Sequence, residues 1–137
     1  MDKWVLYGKS GNPASDIAKA WLKNNGIPSK DYSVFQLTRE EIARLADLLP
    51  GGAKELVYPD IFSFWMINPQ KKTEKDYIQK IHSGELAEEE IRDILATYPA
   101  LVISPIITDY KRVLIGYDLE TMVSTFRFVK VKDVTMA

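Results

Sequence analysis

Leu101-Val102-Ile103-Ser104-Pro105-Ile106-Ile107-Thr108, followed by Asp109-Tyr110-Lys111 and then Arg112-Val113-Leu114-Ile115, reads as a β-hairpin. Both arms are apolar and β-branched, and the three polar residues between them supply a turn. Pro105 is read as the proline at the entry of the hairpin, where a missing ladder donor is tolerated. Gly116-Tyr117-Asp118 then opens a helix capped by Asp118, with Leu119, Met122 and Val123 expected inward. The C-terminal part of the chain therefore runs β-β-α.

The N-terminal part has the complementary order. Trp4-Val5-Leu6-Tyr7 is a compact apolar run and reads as a buried strand, and Gly8 to Gly11 is a turn. A helix is expected from Asn12, because asparagine is a favoured cap, Pro13 suits the first helical position, and Asp16 places negative charge in the first turn. Ala14, Ile17, Ala18, Trp21 and Leu22 form its apolar stripe, Asn25-Gly26 ends it, and Pro28 follows. Asp31 to Leu37 is expected to be a second strand, so the opening is β-α-β.

Helices fill the middle. Thr38 and Glu41 form a capping box ahead of Ile42, Leu45, Ala46 and Leu49. Residues 53–65 are expected to be helical in pieces broken at Pro59. Thr73 to Ile81 and Ala87 to Tyr98 are two further helices separated at Gly84. The tail from Phe126 to Val134 fits a short edge strand, a helix extension or a loose end. No repeat, low-complexity run or linker divides the chain, so one domain over 1–137 is expected, with a helical insertion at about 38–98. The fold class is α/β (α+β): β-α-β, helices, then β-β-α around a small mixed sheet. That order is the order of a thioredoxin-like fold.

Composition narrows the chemistry. A formal net charge of −1 offers no general attraction to nucleic acid or to an anionic membrane. No apolar run approaches the ~20 residues of a membrane helix, and Met1-Asp2-Lys3 leads into a strand rather than a signal peptide, so a cytoplasmic protein is expected. There are no cysteines, which excludes a disulfide and a thiolate metal site, and the single histidine, His82, excludes a multi-histidine one. No cofactor or metal is expected. His82 is read as a helix C-terminal dipole partner or a solvent-facing residue, and Phe62, Phe64, Trp65 and Met66 as packing or as a partner-binding patch.

The sequence resembles the arsenate reductase/Spx family over residues 4 to about 126. Three stretches carry the resemblance: Val5-Leu6-Tyr7 with the helix ending Ala18-Lys19-Ala20-Trp21-Leu22; Leu95-Ala96-Thr97-Tyr98-Pro99-Ala100-Leu101; and Pro105-Ile106-Ile107-Thr108-Asp109 with Gly116-Tyr117-Asp118. It implies a reactive cysteine at the start of the first helix, on Asn12 in one register and Ser15 in another. It also implies an arginine before the hairpin proline, where this chain has Ser104. The resemblance implies a cis Ser104–Pro105 bond, whereas the residues alone also fit a trans proline on an edge strand. A thiolate at a helix start is stabilised by free N–H groups and the helix dipole. An amide or an unactivated hydroxyl cannot replace it as a nucleophile.

Asn12, Ser15, Ser104 and Pro105 are thus the family's active-site positions, with no catalytic residue expected among them. Gly11, Asn12, Ala14 and Ser15 remain a candidate anion-binding loop. Gly52 lies near the glycine with which Spx-type regulators contact RNA polymerase, and is equally read as turn chemistry after Pro50. The resulting expectation is a non-catalytic, protein-binding or regulatory protein, with RNA polymerase as partner by analogy and no direct contact to nucleic acid or membrane. The alternative is a binder of small anions or thiol ligands, or a divergent arsenate reductase-like enzyme.

Overall fold

A computed structural model of the chain describes residues 3–59 and 72–126. Its strands are β1 (Trp4–Gly8), β2 (Ser29–Ser33), β3 (Ile106–Thr108) and β4 (Val113–Ile115). Its helices are α1 (Pro13–Asn24), α2 (Arg39–Asp47), α3 (Lys72–His82), α4 (Glu88–Thr97) and a C-terminal α5 over residues 119–126. The sheet order is β2-β1-β3-β4. β1 pairs in parallel with β2 through a right-sized α1 crossover, placing Val5 opposite Lys30 and Tyr7 opposite Tyr32. β3 runs antiparallel to β1, with Tyr7 opposite Ile106, and β4 returns antiparallel to β3. This is the mixed sheet and β-α-β, helices, β-β-α order expected of a thioredoxin-like fold.

Strand alternation divides the core between two faces. Trp4 and Leu6 of β1 and Ile107 of β3 pack with Ala18 and Leu22 of α1 and with Met122 and Phe126 of α5. Tyr7 and Ile106 point the other way, into a cluster with Ile42 and Leu45 of α2, Ile78 and Ile81 of α3, and Ile91 and Leu95 of α4. β3 lies between the two layers, so Ile106, Ile107 and Thr108 are all buried. Each such aliphatic side chain contributes ~1.5–3 kcal/mol relative to exposure. Phe126 packs edge-on against Trp4, with ring centroids 4.6 Å apart.

Several expected elements differ in detail. The second strand ends at Ser33 rather than Leu37. The Ser33 hydroxyl accepts from Phe35 N–H and the Gln36 side chain accepts from Ser33 N–H, which turns the chain into a short 3-10 helix, Val34–Gln36. Val34 is buried there, while Tyr32 and Phe35 are exposed. Ile17 also faces out, and the inward stripe of α1 is Ser15, Ala18 and Leu22. In α5 only Met122 of the three expected residues is inward; Leu119 and Val123 are exposed, and Phe126, one turn on, completes the buried face. The first hairpin arm is shorter than expected. Pro99–Leu101 is a 3-10 turn, Val102 makes a lone bridge to Val57, and β3 begins after a cis Ser104–Pro105 peptide.

Gly52–Leu56 is a 3-10 turn, in the first part of the segment expected to be helical in pieces. α3 and α4 begin and end within about a residue of their expected bounds. His82 is exposed at the end of α3, but its Nε2 lies 2.9 Å from the Tyr58 carbonyl oxygen, so it donates to another segment instead of serving only the helix dipole. Phe62, Phe64, Trp65 and Met66, and the tail from residue 127, lie outside the described residues.

Candidate functional site

β1 ends at Gly8, and its register with β3 sets that end beside Pro105. The loop leading into α1 and the Ser104–Pro105 peptide therefore come to the same end of two neighbouring strands. Asn12, Ser15, Ser104 and Pro105, nearly a hundred positions apart in part, are brought to one end of the two central strands. Gly52 is elsewhere, in the turn that follows α2 in the chain.

The start of α1 is satisfied from within. Asn12 is extended (φ −92°, ψ 114°), is only 4% exposed, and its Oδ1 accepts from Ser15 N–H at 2.8 Å. Ser15 is fully buried, and its hydroxyl accepts from Lys9 N–H at 3.1 Å. That hydroxyl sits against Gly8: a Cβ at Gly8 would lie 3.2 Å from Ser15 Oγ and 3.1 Å from Leu6 Cδ2. Ser15 thus packs inward between α1 and β1. Gly11 is exposed with a left-handed φ of 78°, and Ala14 is half-buried. Ser104 is 4% exposed and its Oγ has no hydrogen-bond partner among the described residues. The single histidine is held by Tyr58 at the end of α3, so it is not poised to deprotonate either serine.

Gly52 has φ 75°, and its backbone is overlain by the Glu88 carboxylate. Glu88 Oε2 accepts from Ala53 N–H at 2.9 Å and from Arg92 Nε at 2.8 Å, and Arg92 continues to Asp47 at 2.8 Å. Beside α2, Leu48 is 36% exposed.

A third grouping was not visible in the sequence. Tyr7 donates to Glu41 Oε2 at 2.6 Å, and the Tyr110 hydroxyl lies 2.6 Å from that of Tyr7. Burial, and then the bonds to Glu41 and Tyr110, push the Tyr7 phenol far up. Burial acts to raise the Glu41 carboxyl as well, but the hydrogen bonds from Tyr7, Thr38 and Tyr110 outweigh it and hold Glu41 below its ordinary value. Glu41 reads in sequence as the partner of the Thr38 cap, which it is, at 3.0 Å through Oε1. Its second oxygen is engaged by a residue 34 positions away, for which the sequence carries no local signal.

No family model matches the chain. Among curated proteins it is 25% identical over 116 residues to the global transcriptional regulator Spx of Lactiplantibacillus plantarum, covering 83% of this chain and 79% of the relative. It is 26% identical over 103 residues to the global transcriptional regulator Spx of Streptococcus pneumoniae, covering 74% and 68%. Among solved structures it superposes with a TM-score of 0.70 on an ArsC family related protein from Bacteroides fragilis, at 22% identity over 89% of this chain and 96% of the other. The arsenate reductase from Vibrio cholerae gives 0.68, at 18% identity over 88% and 95%. The chain has a thioredoxin-like fold and is similar to proteins of the arsenate reductase/Spx family.

The chain has no cysteine anywhere, so no thiol nucleophile is available to it. Among the described residues, no group of three or more histidine, cysteine or acidic side chains is arranged to hold a metal ion, and no helix is long and apolar enough to cross a membrane.

Proposed function

We propose that this chain is a non-catalytic relative of the arsenate reductase/Spx family and acts by binding another protein. The observation that carries the reading is the closed start of α1: the side chains at both candidate cysteine positions, Asn12 and Ser15, are buried and spent on backbone N–H groups of their own loop. Neither offers a nucleophile, and Asn12 Oδ1 already takes the Ser15 N–H that an anion would need. The anion-binding and divergent-enzyme alternatives are correspondingly weaker.

The partner class follows from the relatives, which are named as transcriptional regulators. By analogy, RNA polymerase is the partner, and the cytoplasm is the place of action. The face around Gly52 supports this reading, since exposed Leu48 stands there beside the braced Arg92–Glu88–Asp47 network. Such a rigid surface costs little ordering on association. Residues 1–137 are taken to act as one domain.

The test is co-elution of the full chain with RNA polymerase from its source organism, together with an arsenate assay coupled to glutathione oxidation. The expected result is a complex that Leu48→Asp weakens, with no arsenate turnover. Absence of a complex, or turnover that disappears in Asn12→Ala or Ser15→Ala, would overturn the proposal.

A further inference from the structure

A cleft of about 510 Å³ opens on the sheet face that carries Val5 and Tyr7 of β1 and Lys30 and Tyr32 of β2. None of Asn12, Ser15, Ser104 or Gly52 lines it. Its size falls within the ~300–1,000 Å³ range of small-molecule sites.

The cleft is chemically polarised. Lys3 and Lys30 supply two ammonium groups, and neither has an ion-pair partner among the described residues. Tyr32 is 39% exposed although its ring stacks on Tyr7, with centroids 5.8 Å apart and planes 29° apart. A flat aromatic surface is thus presented beside the cations. Another part of the wall is built from Glu41 and Tyr110, joined through the Tyr7 hydroxyl by two 2.6 Å contacts. Tyr110 has a left-handed backbone (φ 64°), a costly conformation for a bulky residue that persists only where its surroundings hold it. Here the Tyr7 hydroxyl holds one end of the ring, and the Arg44 guanidinium lies 4.0 Å from its centroid. The wall is therefore preorganised.

We propose that this cleft binds a small aromatic monocarboxylate, with its ring on Tyr32 and its carboxylate between Lys3 and Lys30. Aromatic stacking and a charge-assisted contact define the two ends of the ligand. The Glu41 carboxylate disfavours a second negative charge and favours a hydrogen-bond donor, such as a phenol, on the opposite side of the ring.

The probe is 4-hydroxybenzoate, titrated to about 10 mM into the full chain and followed by amide ¹H–¹⁵N NMR; millimolar affinity is the scale for a ligand making these few contacts. Saturating shifts are expected at Lys30 to Tyr32 and around Tyr110. Lys30→Glu should weaken binding about tenfold and Tyr32→Ala about fivefold. Both positions are exposed, so the rest of the spectrum should remain that of the parent chain. Lys19→Glu, beside the neighbouring cleft, should leave the affinity unchanged. Neutral 4-hydroxybenzamide and saturated cyclohexanecarboxylate should both bind more weakly than the probe. Absent or unsaturable shifts, equal binding by Lys30→Glu, or the same shifts from inorganic phosphate would overturn the proposal, the last by reducing the site to an adventitious ion only. Success or failure in this titration is independent of any complex with RNA polymerase.

Discussion

Replacing Gly52 with alanine tests the tightest backbone approach on the face between α2 and α4. At φ 75° an alanine meets the left-handed penalty of about 1 kcal/mol. Its Cβ would also lie 2.4 Å from Glu88 Oε1 and 2.9 Å from Glu88 Cδ, so the carboxylate must leave. A glutamate side chain can rotate away, but this one would give up its bond to Ala53 N–H and its contact with Arg92. The charged bond to the backbone is worth about 1.5 kcal/mol. The ion pair adds only about 0.5 kcal/mol, because the Glu88 side chain is 38% exposed and solvent screens it. Alanine recovers about 0.5 kcal/mol by restricting the unfolded chain. The net expectation is a destabilisation of about 2.5 kcal/mol, read by urea unfolding at neutral pH. In a Glu88→Ala background the clash is absent and the hydrogen-bond and ion-pair losses are already made, so the same change should cost only about 0.5 kcal/mol. If Gly52→Ala is nearly neutral, or costs the same with and without Glu88, the assignment of this glycine to the Glu88 overlay is wrong.

Tyr7→Phe should keep the packing but deprive Glu41 of a donor and Tyr110 of a partner, at a cost of about 1–2 kcal/mol at neutral pH. The sign of its pH dependence follows from Glu41: because its folded pKa is held below the ordinary 4.5, its stabilisation is complete above that value and is lost as pH falls through the lower, folded one. The variant should lose less stability than the parent when acidified through that window, as measured by urea unfolding across a pH series. Asn12→Ala removes the side-chain cap of α1 and should cost about 1 kcal/mol, with Asn12→Ser recovering most of it, read as shifts in the unfolding midpoint.

Local pattern specifies structure wherever the chain supplies its own partners. The cap at Asn12 is satisfied three residues on, as is the box at Thr38 and Glu41, and the α1, α2 and α4 bounds follow. Local pattern misleads where apolar residues face solvent. Ile17, Phe35, Leu119 and Val123 look like core by spacing, but lie on faces that no described element covers. The second strand stops short of Leu37 because Ser33 and Gln36 turn the chain by side-chain bonds that outweigh β propensity.

The sequence alone determined the order of elements and the absence of thiol chemistry, because hydrophobic period, capping and residue identity are carried in adjacent positions. Only the tertiary structure decided that Asn12 and Ser15 are filled inward, that Glu88 overlies Gly52, and that Tyr7, Glu41 and Tyr110 meet beside two lysines. Those contacts join residues up to 103 positions apart. They exist because β1 and β3 pair side by side with helical layers on both faces, a proximity that no local pattern in the chain encodes.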